Sequence, residues 1–187
     1  MRKIIFLTIF VCLLAISAFA QDKTPTDFSG DWTLDVSKSR LDERMRVESI
    51  TMNVKQTDKE LTIEIVTKRV ERPEGAMPNG GMRRGSGGGM SGGMGGDGTT
   101  IYNLDGKETT APVSGGAIGG VSTMKAEVES SKLKLTNSRK ISSQMGDFTF
   151  VTKETWELTD SGKTLKVVRE TETRRGNISS EMIFTKK

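Results

Sequence analysis

Few side chains in this sequence can do chemistry at the spacing that chemistry needs. There is no histidine, which removes Ser-His-Asp and Cys-His arrangements and the commonest ligand for zinc. The one cysteine, Cys12, lies in an apolar N-terminal run. Ser122-Thr-Met-Lys125 matches the S-x-x-K pattern of penicillin-binding enzymes, but that pattern needs a helix start and S-D-N and K-T-G partner elements, and the sequence has neither partner. Gly162-Lys163-Thr164 has the tail of a phosphate-binding loop, yet the upstream glycine position is occupied by Glu157. Glu154 and Glu157 fall on opposite faces of an extended strand and so cannot work as an acid/base pair. No catalytic residue is assigned, and the sequence points to a protein that is not an enzyme.

The methionines are the remaining chemical candidates. Met77, Met82, Met90 and Met94 share one glycine-rich stretch, and thioethers are soft ligands that favour Cu(I). Their spacing is irregular and no histidine or cysteine supports them. A solvated low-complexity loop explains the same composition without a ligand, so no metal and no cofactor is assigned. Arg83 and Arg84 beside glycines have the look of RNA-binding RGG segments. The leader described next argues against that partner.

Residues 1–20 read as a secretory signal peptide. Arg2 and Lys3 form a positive n-region, Ile4 to Ile16 an apolar h-region, and Ala18-Phe19-Ala20 a small-x-small cleavage site. The apolar run is short for the roughly 30 Å hydrocarbon core, so a membrane anchor is the lesser reading. Cleavage before Gln21 predicts an exported chain, periplasmic or extracellular, with no membrane span. It also removes Cys12, so burial alone must hold the fold. Without Arg2 and Lys3, 26 cations face 24 acids, a net charge of +2. These charges are interleaved rather than clustered, which argues against nucleic acid as a partner.

The rest of the chain has a period of two. Ile50, Met52 and Val54 alternate with Thr51, Asn53 and Lys55, and Leu61, Ile63 and Ile65 alternate with Thr62 and Glu64. Phe148, Phe150, Trp156 and Leu158 share one parity, with Thr152 and Glu154 between them, and Leu165, Val167 and Arg169 share another. Asp105-Gly106 is a two-residue hairpin signal. A first strand is expected over Gly30 to Val36. Residues 72–98 hold 12 of the 21 glycines and are expected to be a disordered Gly/Met-rich loop insertion. These signals predict one domain over residues 21–187 with eight to ten antiparallel strands. The expected fold is all-β, an up-and-down barrel, with a two-sheet sandwich as the competing arrangement.

Phe28-Ser-Gly-Asp-Trp-Thr-Leu34 opens that domain with a G-x-W on the first strand. This resembles the lipocalins and the wider calycin group. More specifically, Phe28 to Lys38, Leu104-Asp-Gly-Lys107, Glu154 to Leu165 and Phe184-Thr-Lys-Lys187 resemble small exported bacterial proteins with lipocalin-like domains of unknown activity. The resemblance implies that Trp32 packs at a closed end beneath a basic side chain from a late strand. Gly30 and Trp32 are then a structural signature, with Arg169, Arg174 or Arg175 as the covering cation. The expected function is binding of a small apolar or amphipathic molecule, in a cavity lined by residues such as Tyr102, Phe150 and Trp156. The alternative is an envelope structural or interaction protein whose barrel is filled by its own side chains.

Overall fold

The computed structural model of the protein describes residues 26–42, 45–70, 97–113, 119–129, 131–143, 146–173 and 176–187. The leader, the methionines of the glycine-rich stretch, Arg83, Arg84, Arg174 and Arg175 lie outside these residues.

Alternation of apolar with polar side chains favours extended backbone, because only a strand places every second residue on one face. Ten strands form: β1 (Gly30–Leu34), β2 (Val47–Gln56), β3 (Glu60–Arg69), β4 (Gly98–Asn103), β5 (Thr109–Pro112), β6 (Gly119–Glu129), β7 (Lys132–Ser143), β8 (Gly146–Thr159), β9 (Thr164–Thr173) and β10 (Gly176–Lys186). Each pairs antiparallel with its sequence neighbour, except that β4 pairs only with β3 and β5 only with β6. The first strand also pairs with the last, through Trp32 opposite Lys186, Thr33 opposite Thr185 and Leu34 opposite Phe184. The result is an up-and-down barrel, closed except between β4 and β5. The barrel is therefore preferred over the sandwich.

Two boundaries differ from expectation. The first strand stops at Leu34 because the Asp35 carboxylate accepts hydrogen bonds from the Ser37 amide and hydroxyl at 3.1 and 2.6 Å, which bends the chain. It rejoins the last strand at Arg40, whose amide and carbonyl both bond to Glu181. At the other boundary, Gly98 belongs to β4 and not to the loop.

The up-and-down order gives the barrel two unlike ends. Short connections at 57–59, 104–108 and 160–163, with both chain ends of the domain, gather at one. There Phe28, Trp32, Trp156, Leu165 and Phe184 are sealed from solvent. Residues 35–42 and 45–46, the start of β8 and the start of β10 lie at the other.

The closed end is organised on the G-x-W. The Trp32 indole N–H donates to the Phe28 carbonyl at 3.1 Å. The Phe28 ring meets Trp156 edge-on at 6.1 Å. Gln56 ties the entering segment down, accepting from the Phe28 amide at 3.0 Å and donating to the Thr26 carbonyl at 2.9 Å. The cation over Trp32 is Lys186, with its Nζ 5.3 Å from the ring centroid; of the expected Arg169, Arg174 and Arg175, only Arg169 is among the described residues, and it lies elsewhere. Register explains this. Lys186 is the direct cross-strand partner of Trp32, whereas Arg169 lies midway along β9 and faces Glu154.

Lys186 also explains Gly30. This glycine has φ +146, and a Cβ there would fall 2.5 Å from the Lys186 Cε that crosses it. The Gly30→Ala variant should therefore lose about 1–3 kcal/mol in urea unfolding, through backbone strain and displacement of Lys186. Lys186→Ala should lose less, about 0.5–1 kcal/mol, because only the cation–π contact goes. Equal losses would mean that the glycine conformation carries none of the effect.

Candidate functional site

Direct cross-strand partners share a face, so the ladders fix which side chains point into the barrel. On β7 these are Leu133, Leu135, Asn137, Arg139 and Ile141, and on β8 they are Phe148, Phe150, Thr152, Glu154, Trp156 and Leu158. On β9 they continue as Leu165, Val167, Arg169 and Thr171, and on β10 as Ile178, Ser180, Met182 and Phe184. The inward face thus changes character along the axis. Toward the closed end it is apolar and largely sealed; beyond Glu154 it is mixed, with Asn137, Arg139, Thr152 and Thr171 beside Phe148, Phe150, Ile141 and Ile178.

The boundary is a buried ion pair. Arg169 donates to Glu154 Oε1 from Nε at 3.0 Å and from Nη2 at 2.7 Å. The second carboxylate oxygen, Oε2, accepts the Trp156 indole N–H at 2.9 Å. Both charged side chains are over nine-tenths buried. Such a pair survives burial only when its remaining polar atoms are bonded, and here the indole completes the carboxylate. A neighbouring link joins Ser122 Oγ, as donor, to Asn137 Oδ1 at 2.7 Å, with both residues buried.

Tyr102 reaches this group from β4. Burial raises its phenol pKa above the ordinary value, and the nearby Glu154 charge adds to that, while Arg169 and a hydrogen bond with Asn137 act in the opposite sense. The hydroxyl therefore stays protonated. Arg139, half-buried and directly opposite Phe150, has its pKa lowered by burial, partly offset by Tyr102.

Nearer the open end, some inward-facing side chains retain solvent contact, although Ile50 and Ile141 are buried there. Phe148, Phe150, Thr152, Thr171 and Ile178 are all only half-buried. The inward hydroxyls of Thr67 and Thr109 are buried without a hydrogen-bond partner.

The three expected lining residues are thus divided. Tyr102 sits in the polar group and Phe150 faces the open end. Trp156 is 0 % exposed and serves as core and as a donor to Glu154, so it lines nothing that solvent reaches. The S-x-x-K pair is separated, because Ser122 points inward while Lys125 points outward to Glu127 at 2.6 Å. Glu157 likewise faces out, 3.1 Å from Lys132. Among the described residues, no three side chains of His, Cys, Asp or Glu are grouped to hold a metal, and no helix is long and apolar enough to cross a membrane.

Sequence reasoning missed the Glu154–Arg169 pair, although the signal was present. Each residue shares the parity of a buried apolar run, where a charge must find a partner. Compared with known proteins, the chain matches no family model, no curated sequence and no solved structure.

Removing one member of the pair should cost far more than removing both. Glu154→Ala or Arg169→Ala should lose about 3–5 kcal/mol in equilibrium unfolding, because a buried charge is stranded. The double variant Glu154→Leu with Arg169→Met should lose much less than the sum of the single changes. Additive losses would show that the two charges do not depend on one another.

Proposed function

We propose that this protein is a non-enzymatic binding module for a small amphipathic molecule, admitted at the open end of the barrel. The observation that carries this reading is the row of inward-facing side chains that remain half-exposed there: Phe148, Phe150, Thr152, Thr171 and Ile178. Inward residues of a solid barrel would be sealed, as most are at the closed end and as Ile50 and Ile141 are near the open one. Barrel width supports the same view. About eight strands enclose just enough room for their own side chains, and the interior widens with each added strand, whereas this ring has ten. Apolar rings beside threonine hydroxyls and an arginine suit a ligand with one apolar and one polar part.

The leader residues and the likeness to lipocalin-like exported proteins support a role outside the cytoplasm, where such a module would carry or retain its ligand. The alternative, a structural or interaction protein with a filled barrel, draws its support from the closed half, where Trp32, Ala126, Trp156, Leu165, Val167 and Met182 are 0 % exposed.

A neutral fluorescent probe separates the two readings. N-phenylnaphthylamine should bind saturably with one site per folded chain. Phe150→Ala should weaken it about tenfold, the equivalent of about 1.4 kcal/mol of lost apolar contact. A folded protein that gives no saturable fluorescence rise would favour the filled barrel. Native mass spectrometry of protein purified from its own source, without detergent, would then identify any retained ligand by its extra mass.

A further inference from the structure

The barrel consists of two lobes, β1–β4 and β5–β10. We infer that a second copy of this chain is a partner of the first, and that two copies exchange lobes through the β1–β10 seam to make a dimer of two composite barrels.

The first support is how the ladders are shared out. Three lie inside β1–β4 and five inside β5–β10, and the one that joins the lobes is β1 with β10. That ladder holds three direct partners, against ten between β9 and β10. Exchange therefore breaks no hairpin. It parts Trp32, Thr33 and Leu34 from Lys186, Thr185 and Phe184, and re-forms the same pairs with another chain. Neither lobe is complete alone. Phe28 meets Trp156 across the lobe boundary, and Tyr102 meets Asn137, so a separated lobe exposes apolar surface to water.

The connection between the lobes is the second support. The chain passes from one to the other at residues 104–108, and β4 and β5 do not pair, so no ladder holds this link in its turn. It is bent by Gly106 at φ +80 and by the Asp105 carboxylate, which accepts from the Lys107 amide at 3.0 Å. Asp105, Lys107 and Glu108 are exposed. Straightened, five residues span roughly 17 Å, enough to reach β5 of a neighbour whose closed end faces this one. Exchange of an identical element is a low-cost route to a dimer, because the hinge alone differs between the two forms.

Magnitudes set when exchange occurs. A short link holds the two lobes of one chain at an effective concentration on the order of millimolar. Dilute chains therefore close on themselves, and exchange competes when the chain folds at a concentration of that order. In the dimer, Tyr102 of one copy completes the polar group of the other.

Thiol pairing across the seam tests this, in protein carrying Cys12→Ser so that only introduced thiols react. Direct partners in an antiparallel ladder stand about 5 Å apart at Cα, within disulfide reach. Chains with Thr33→Cys are unfolded in urea together with chains carrying Thr185→Cys, refolded dilute or at about millimolar concentration, and oxidised. A non-reducing gel should show the 33–185 link between chains after concentrated refolding only. Thr155→Cys in place of Thr185→Cys, on β8 and away from the seam, should give no link. One chain carrying both Thr33→Cys and Thr185→Cys should close on itself when dilute, which shows that the substituted protein folds.

Gly106→Val gives a second readout. A Cβ there meets nothing within 4 Å, so the change strains the turn alone, and straightening relieves that strain twice per dimer. Light scattering should show the dimer-to-monomer ratio rising at least about tenfold. Absence of a 33–185 link between chains at every concentration overturns the exchange, as does a dimer that links equally through Thr155→Cys. An unchanged ratio in Gly106→Val overturns residues 104–108 as the hinge.

Discussion

The barrel depends on one seam. Eight of the nine ladders join sequence neighbours, but β1–β4 and β5–β10 become one sheet only when β1 meets β10, more than 140 residues later in the chain. The seam is short, so its few pairs are reinforced. The Trp32 ring lies under Lys186, and the Lys187 amide reaches the Asp31 carbonyl at 2.9 Å. After the bend at Asp35, the chain returns to β10 through Arg40 and the Ser39 hydroxyl. Closing a loop of that length is entropically costly, and the contact that rewards it comes late in folding.

Once the seam is made, the interior divides naturally. Apolar side chains at the closed end exclude water and create the low dielectric in which Glu154 and Arg169 must pair. The pair interrupts the apolar run on β8 and β9, where the next inward residues are Thr152 and Thr171. The two halves are therefore coupled: the sealed end supports the ion pair, and the ion pair marks where the open end begins.

Much of this was legible in the sequence, for a physical reason. A period of two specifies which residues share a face, and Phe148 to Leu158 and Leu165 to Arg169 kept their predicted parity. Turn chemistry was only partly informative: Asp105-Gly106 does turn the chain, with Gly106 at φ +80, but the strands on either side, β4 and β5, do not pair, so the expected two-residue hairpin is not formed. Parity does not say which strand lies opposite which at the seam, so Lys186 was missed as the cover for Trp32. Nor does it give height along the barrel axis. Trp156 and Phe150 share a face, yet one is sealed and the other meets solvent, because they lie on opposite sides of Glu154. The Asp35 turn that shortens β1 was hidden because its signal, a carboxylate two residues before a serine, is common in strands that do not bend.

The break between β4 and β5 has a consequence for how copies of this chain meet. Two sheet edges remain there, and an exposed edge is a template for another strand. Neither is an inviting one. β4 is six residues long and β5 four, and β5 ends in Pro112, which has no amide hydrogen to offer. With no cysteine in residues 13–187, no disulfide within the barrel would restrain one that began to add strands from its neighbour. The short, proline-tipped edges supply that restraint in another form, by making the break a poor place for self-association to begin.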